Sequence, residues 1–178
     1  MNSKDLALTA LFSALYAILV IVQGLSAAAS IQVRLADALI PLAALFGPPV
    51  ILGVSLGCVV CNAYLSLSIP FGFLDVIFGP IANLAAAGLI FKMRKKPLVG
   101  CVLGAVVIGL VVGSYLWLLF PFEDAILPPF LISIASITMS SLFALAVLGY
   151  GLLRAFKRSA VIKLLRSHGL KIYMENEK

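Results

Sequence analysis

The chain reads as a series of long apolar runs separated by short breaks where glycine, proline and charge gather. Breaks of this kind end helices. They predict six helices, over residues 5–25, 32–46, 49–67, 73–92, 97–119 and 129–157. The breaks themselves are "GLSAAASIQ", "FGPP", "SLSIPFGF", "KMRKKP" and "FPFEDAILPP". A basic, weakly amphipathic segment continues to residue 168. Five of the six helices are long enough to cross a hydrocarbon core of about 30 Å at 1.5 Å per residue. The second is not, because its length comes to only about 22 Å. It is expected to sit within the fold with a polar first turn, rather than to cross the membrane as a lipid-facing rod.

Composition agrees with the pattern. Of 178 residues, 63% are hydrophobic and 11% charged, against about 25% charged in soluble domains. Mean hydropathy is +1.18. The predicted class is therefore an all-α integral membrane protein, a compact six-transmembrane-helix bundle over residues 1–158. A basic cytoplasmic tail follows over residues 159–178. Loops this short leave no room for a soluble catalytic domain. The first helix has Lys4 before it and "SAAAS" after it, as a signal peptide would. Its apolar run, residues 6–22, exceeds the usual 7–15 residues of such a segment, so it is expected to be retained.

Charge sets the orientation. Twelve of the thirteen Lys and Arg fall at Lys4, in the cluster Lys92, Arg94, Lys95 and Lys96, or from Arg154 onward. Cytoplasmic loops carry the excess of basic residues, so both termini and the 92–96 loop are expected inside. The thirteenth basic residue, Arg34, then lies on the outer side with Asp37, Asp75, Glu123 and Asp124. The basic excess is thus a topology signal and not a nucleic-acid one, and the expected surroundings are the lipid bilayer of the plasma membrane.

Charged groups within a span cost at least about 2.5–3.5 kcal/mol, which makes each one a functional candidate. Arg34 and Asp37, at i and i+3, share a helix face. They read either as a mutually neutralising pair or as one wall of a site. Asp75 lies in the first turn of the fourth helix, where the helix dipole favours an anion, so it reads as a cap or as a ligand contact. Gly79-Pro80 interrupts that helix and frees a backbone carbonyl. Asn83 follows, and Asn62 adds a second buried amide. Phe71 and Phe78 lie close by in sequence and read as packing or as cover for a flat ligand. Ser133, Ser136, Thr138, Ser140 and Ser141 suit interhelical hydrogen bonds. Gly53/Gly57, Gly100/Gly104 and Gly109/Gly113 form small-residue packing stripes, and Ala10/Ala14 forms another on the first helix. Cys58, Cys61 and Cys101 read as buried small hydrophobes rather than as a disulfide framework or metal site.

Absences narrow the function. There is no G-x-x-x-x-G-K-[ST], no H-E-x-x-H and no G-x-S-x-G, and the one histidine, His168, is in the tail. No enzyme activity and no cofactor are expected.

Two segments carry a resemblance. "IQVRLADALIPLAALFGPP" and "GFLDVIFGPIANLAAAG" resemble hallmark segments of the queuosine-precursor transporter (QueT) family, the substrate-binding S-components of energy-coupling factor (ECF) importers. The likeness extends over residues 5–120. It implies a six-helix membrane fold without its own ATPase and a site that opens outward. It also implies assembly with a membrane coupling subunit and two cytoplasmic ATPases, met through small residues matching Ala10 and Ala14. The implied substrate is a 7-deazaguanine precursor of queuosine or archaeosine, a purine-like small molecule. The family usually has Glu at position 37 and Thr at position 83, and often a glutamate in the sixth helix that is absent here. A carboxylate at Asp75 or Asp37 suits the two adjacent donors of such a base, and Arg34 or an asparagine amide suits its carbonyl. Arg34, Asp37, Asn62, Phe71, Asp75, Phe78 and Asn83 are thus the expected binding residues. Two readings remain beside this one: an S-component for another vitamin such as riboflavin or biotin, and a structural or assembly membrane protein with no ligand.

Overall fold

The computed structural model describes residues 2–23, 34–67, 72–119 and 127–173. Phe71, Glu123 and Asp124 lie outside the described residues. Among those described, the chain forms helices and turns and no strand.

Five helices are long and apolar enough to cross a membrane: α1 (Ser3–Gln23), α3 (Pro48–Ser66), α4 (Phe73–Lys92), α5 (Pro97–Leu119) and α6 (Pro129–Phe156). A shorter apolar helix, α2 (Leu35–Phe46), lies between α1 and α3. The expected six helices therefore resolve into five of spanning length and one short one. Many large apolar side chains on the outside of the long helices, among them Ile18, Leu56, Ile77, Leu110 and Val147, are exposed. The inside is apolar as well, filled by Ile40, Leu42, Leu45, Ile90 and Leu145 together with small residues. Apolar side chains on both faces are what lipid, itself apolar, permits, and the chain is a multi-pass membrane protein.

Glycines set how closely the long helices approach. A Cβ on Gly53 or Gly57 would fall within 3 Å of α1, at Phe12 Cβ and Ser13 O respectively. A Cβ on Gly109 would collide with Thr138, and one on Gly113 would sit 2.5 Å from the Ile134 backbone. The expected small-residue stripes thus seat α3 on α1 and α5 on α6.

The helix α2 is not a regular α-helix. Residues Leu35–Leu42 are 3₁₀-helical, and only Ala43–Phe46 close an α turn. A 3₁₀ run of this length is uncommon. Pro41 sits inside it and has no N–H to return to the Ala38 carbonyl. That carbonyl and the Pro41 ring lie against Gly149, where a Cβ would stand 2.8 Å from Ala38 O and 2.6 Å from Pro41 Cγ. Gly149 closes a π-helical stretch of α6, Phe143–Gly149. Two irregular helical segments therefore pack on each other in the middle of the bundle. Segments of this kind recur at functional sites.

At the basic end, the segment expected as a tail folds back onto the bundle over residues 159–173. A final helix, α7 (Ser159–Ser167), buries Ile162. Beyond it the Tyr173 N–H donates to Leu45 O at 2.9 Å, and the Tyr173 ring meets Phe91 edge-on at 5.1 Å. Lys4 Nζ donates to His168 O at 2.7 Å.

Candidate functional site

At the other end, α2 begins with its polar turn facing inward. Arg34 and Asp37 share this turn, with the Asp37 N–H donating to Arg34 O at 3.0 Å, but their side chains do not pair with each other. Arg34 Nη2 forms an ion pair with Asp75 Oδ2 on α4 at 2.8 Å. Both side chains are about 85% shielded, with 15% and 14% exposed. The other carboxylate oxygen, Asp75 Oδ1, accepts from Tyr115 Oη on α5 at 2.7 Å. Asp37 instead accepts from Tyr16 Oη on α1 at 2.6 Å. Tyr16 Oη in turn accepts from Asn83 Nδ2 on α4 at 2.9 Å. The intrahelical pair that spacing allows thus gives way to two separate networks, each reaching across helices.

Helix α4 is built for this. Pro80 lacks the N–H that would bond Val76 O, which loosens the turn above it. In that turn the Asp75 carbonyl accepts a second-helix donor, Asn62 Nδ2 of α3, at 2.7 Å. Gly79 makes the approach possible, because a Cβ there would lie 2.6 Å from Asn62 Nδ2. Asn62 also reaches Cys58 Sγ at 3.3 Å. Asn62 therefore braces the Asp75 turn. Cys58, Cys61 and Cys101 are free and buried, and no cluster suited to a metal ion occurs among the described residues.

Between these networks lies a narrow cleft with about 20 Å³ of internal free space. Arg34, Asp37, Asn83, Ser140 and Ser141 supply its polar lining, Gly79 a bare patch, and Ile108, Val112 and Ile137 the apolar wall. Asp37, Asn83, Ser140 and Ser141 are all more than nine-tenths buried. Ser140 and Ser141 of α6 turn to the cleft, and on the same helix Ser133 Oγ is the one buried side-chain polar atom with no hydrogen-bond partner among the described residues. Buried polar groups are almost always satisfied. Those left open toward a cavity are placed for a ligand or for water. An apolar wall with a few convergent polar groups is the usual make-up of a small-molecule site.

Of the expected binding residues, Arg34, Asp37 and Asn83 line the cleft. Asp75 and Asn62 stand behind it, the first holding Arg34 and the second holding Asp75. Phe78 packs on Tyr115, with ring centroids 5.7 Å apart, and does not line the cleft. Phe71 lies outside the described residues. Ala10 and Ala14 are exposed on the face of α1 turned away from α3.

Sequence reasoning missed four participants. Tyr16 and Tyr115 are lone hydroxyl-bearing rings in apolar helices, and a buried tyrosine needs a partner for its O–H. That signal was present in the sequence. Ser140 and Ser141 were expected to bond between helices, and nothing in their spacing separates that role from lining a cleft.

A family model described as QueT transporter matches residues 6–158 of the chain. No curated protein and no solved structure matches it.

Proposed function

Because this chain belongs to the QueT transporter family, we propose that it is the substrate-binding S-component of an ECF importer that captures a 7-deazaguanine base. The observation that carries this reading is the cleft, where the buried polar residues Asp37, Asn83, Ser140 and Ser141 converge beside Arg34. A planar bicyclic base needs apolar walls for its faces and in-plane donors and acceptors for its edges. Ile108, Val112 and Ile137 offer the walls. Arg34 is the donor for a ring carbonyl. Asn83 and Asp37 take N–H donors.

The cleft would open outward, at the end of the bundle opposite the basic cluster, as the distribution of Lys and Arg supports. Release inward would then need the coupling subunit and the two ATPases. The exposed Ala10 and Ala14 on α1 are the surface proposed to meet that coupling subunit. Small residues allow close helix–helix approach in lipid.

The test is equilibrium binding of radiolabelled 7-deazaguanines to the purified protein in detergent, with mass spectrometry of any co-purified small molecule. Saturable binding that Arg34→Ala weakens at least tenfold supports the reading. Binding of riboflavin or biotin, with none of the base, would replace the substrate but keep the class. No saturable ligand of any kind would sink it.

A further inference from the structure

At the end opposite the cleft the chain carries charge that it does not neutralise. Lys92 closes α4, and Arg94, Lys95 and Lys96 lead to Pro97, the first residue of α5. Arg154 stands in the last turn of α6, with Lys157 and Arg158 just beyond it. Lys163 and Arg166 belong to α7, and Lys171 follows it. The sequence has no acidic residue between Asp75 and Glu123, or between Asp124 and Glu175. Among the described residues Asp5 is the one carboxylate at this end, and it accepts from the Asn2 N–H at 3.0 Å. None of these cations enters an ion pair among the described residues.

Their height in the membrane decides which anion reaches them. Leu84 is exposed and Gly88 borders open space, and both lie on the helix face that Lys92 continues, at i, i+4 and i+8. Leu98 and Val99, just after Lys96, and Val147, two turns before Arg154, are exposed too. Acyl chains cover apolar faces of this kind. The cations therefore stand directly beyond the lipid-covered length of three spans, where headgroup phosphates lie. Helix α7 spends its apolar side on the bundle, with Ile162 buried and Val161 and Leu165 half-buried. Its free face presents Lys163 and Arg166, so it meets an anion by charge rather than by insertion.

Two of the cations are held in place by aromatic rings. The Arg94 guanidinium lies 5.0 Å from the Phe91 ring centroid, and Lys171 Nζ lies 4.8 Å from that of Tyr173. Phe91 and Tyr173 meet edge-on at 5.1 Å. An aromatic pair bracketed by two cations thus joins the end of α4 to the segment after α7. Side chains already held lose less conformational entropy when they gather on one anion. We infer that this end of the bundle binds anionic phospholipid headgroups of the adjoining leaflet, with Arg94, Lys163, Arg166 and Lys171 as the principal contacts. A phosphodiester offers acceptors, and guanidinium and ammonium groups offer only donors. Clusters of about four to eight Lys and Arg beside a span bind anionic lipid in this way. The inference is independent of which substrate the cleft takes.

The test offers the purified protein an equal mixture of phosphatidylglycerol and phosphatidylcholine in detergent and counts the retained lipids by native mass spectrometry. Phosphatidylglycerol is expected to be retained at least about tenfold over phosphatidylcholine, an advantage that shrinks as salt is raised. Lys163→Gln/Arg166→Gln removes two exposed charges and leaves the packed side of α7 intact, and is expected to cut the enrichment at least about threefold. Arg94→Gln/Lys171→Gln is expected to cut it in the same direction, with melting in lipid-free detergent as the check that each variant is folded. Equal retention of the two lipids would overturn the inference. So would an enrichment that Lys163→Gln/Arg166→Gln leaves unchanged. Soluble glycerophosphoglycerol competing as well as the intact lipid would assign the cations to a free phosphate instead. Preferential binding of polyglutamate over phosphatidylglycerol would assign them to an acidic protein. Either result would overturn the lipid reading.

Discussion

Arg34 and Asp75 stand 41 residues apart in the chain and 2.8 Å apart in the fold. Their ion pair ties the start of the short helix α2 to the first turn of α4. Tyr115 holds the second oxygen of the same carboxylate, and Asn62 holds the same residue's carbonyl. Asp75 is thus gripped from three helices. It fixes where the Arg34 guanidinium can point, and with it one wall of the cleft.

Removing either partner leaves a largely buried charge alone, which typically costs about 3–5 kcal/mol. Arg34→Met and Asp75→Asn are each expected to lower thermal stability in detergent. The double variant Arg34→Met/Asp75→Asn is expected to lose less than the sum of the singles, with a coupling of about 1–3 kcal/mol. A double-mutant cycle by thermal unfolding measures this. Strict additivity would show that the pair does not stabilise the fold.

Tyr16 is fully buried, donates to Asp37 and accepts from Asn83. Tyr16→Phe keeps the ring and deletes both bonds. Leaving buried polar groups without partners costs about 1–3 kcal/mol, so a stability loss of that size is expected. Base affinity should fall too, because the freed Asp37 and Asn83 side chains no longer hold their directions. Tyr64, 60% exposed, is the control, and Tyr64→Phe should change neither. A Tyr16→Phe protein with unaltered melting and binding would remove the hydroxyl from the site.

The α5–α6 seam depends on two missing methyl groups. Gly109→Ala forces a Cβ into Thr138, including its backbone Cα at 2.9 Å. Gly113→Ala does the same against Ile134. Overpacking of this kind costs about 1–3 kcal/mol. Gly151→Ala meets nothing within 4 Å and should be neutral or stabilising by up to about 1 kcal/mol, the helix-propensity gain over glycine. Thermal unfolding of the three variants side by side separates packing from propensity. Equal effects at all three positions would mean that the close approach is not what holds the seam.

Truncation after Ser167 removes the Tyr173–Leu45 hydrogen bond, the Tyr173–Phe91 ring contact and the Lys4–His168 contact together. A stability loss within the ordinary range of about 0.5–3 kcal/mol is expected. Base affinity should hold, because these contacts sit at the end of the bundle away from the cleft. Loss of binding with unaltered melting would contradict that separation.

Much of the architecture was legible in the residues. The ends of α4 and α5 follow from Gly72, the Lys92–Lys96 cluster and Pro97, and the shortness of α2 follows from counting. Arg34, Asp37 and Asn83 stood out because polar groups are costly in a span. The partners were not legible. Spacing favoured Arg34 with Asp37, and the fold paired Arg34 with Asp75. Phe78 looked like cover for a ligand and packs on Tyr115 instead. Ser140 and Ser141 looked like helix–helix contacts and face the cleft.

The sequence by itself determined that this protein is a membrane bundle, where its helices begin and end, and that one end is basic. Those properties are local sums: apolar length against the thickness of a bilayer, and charge counted loop by loop. Only the tertiary structure decided which polar groups meet. A helix that is apolar nearly all round carries no stripe to say which face turns inward, so rotation about its axis and its register against neighbours stay open until the helices pack. Packing closed them here through glycines that admit a neighbour's backbone, a 3₁₀ helix set against a π-helical turn, and an ion pair between α2 and α4. It left Asp37 lining a cleft, with the Tyr16 phenol as the side-chain partner of its carboxylate among the described residues.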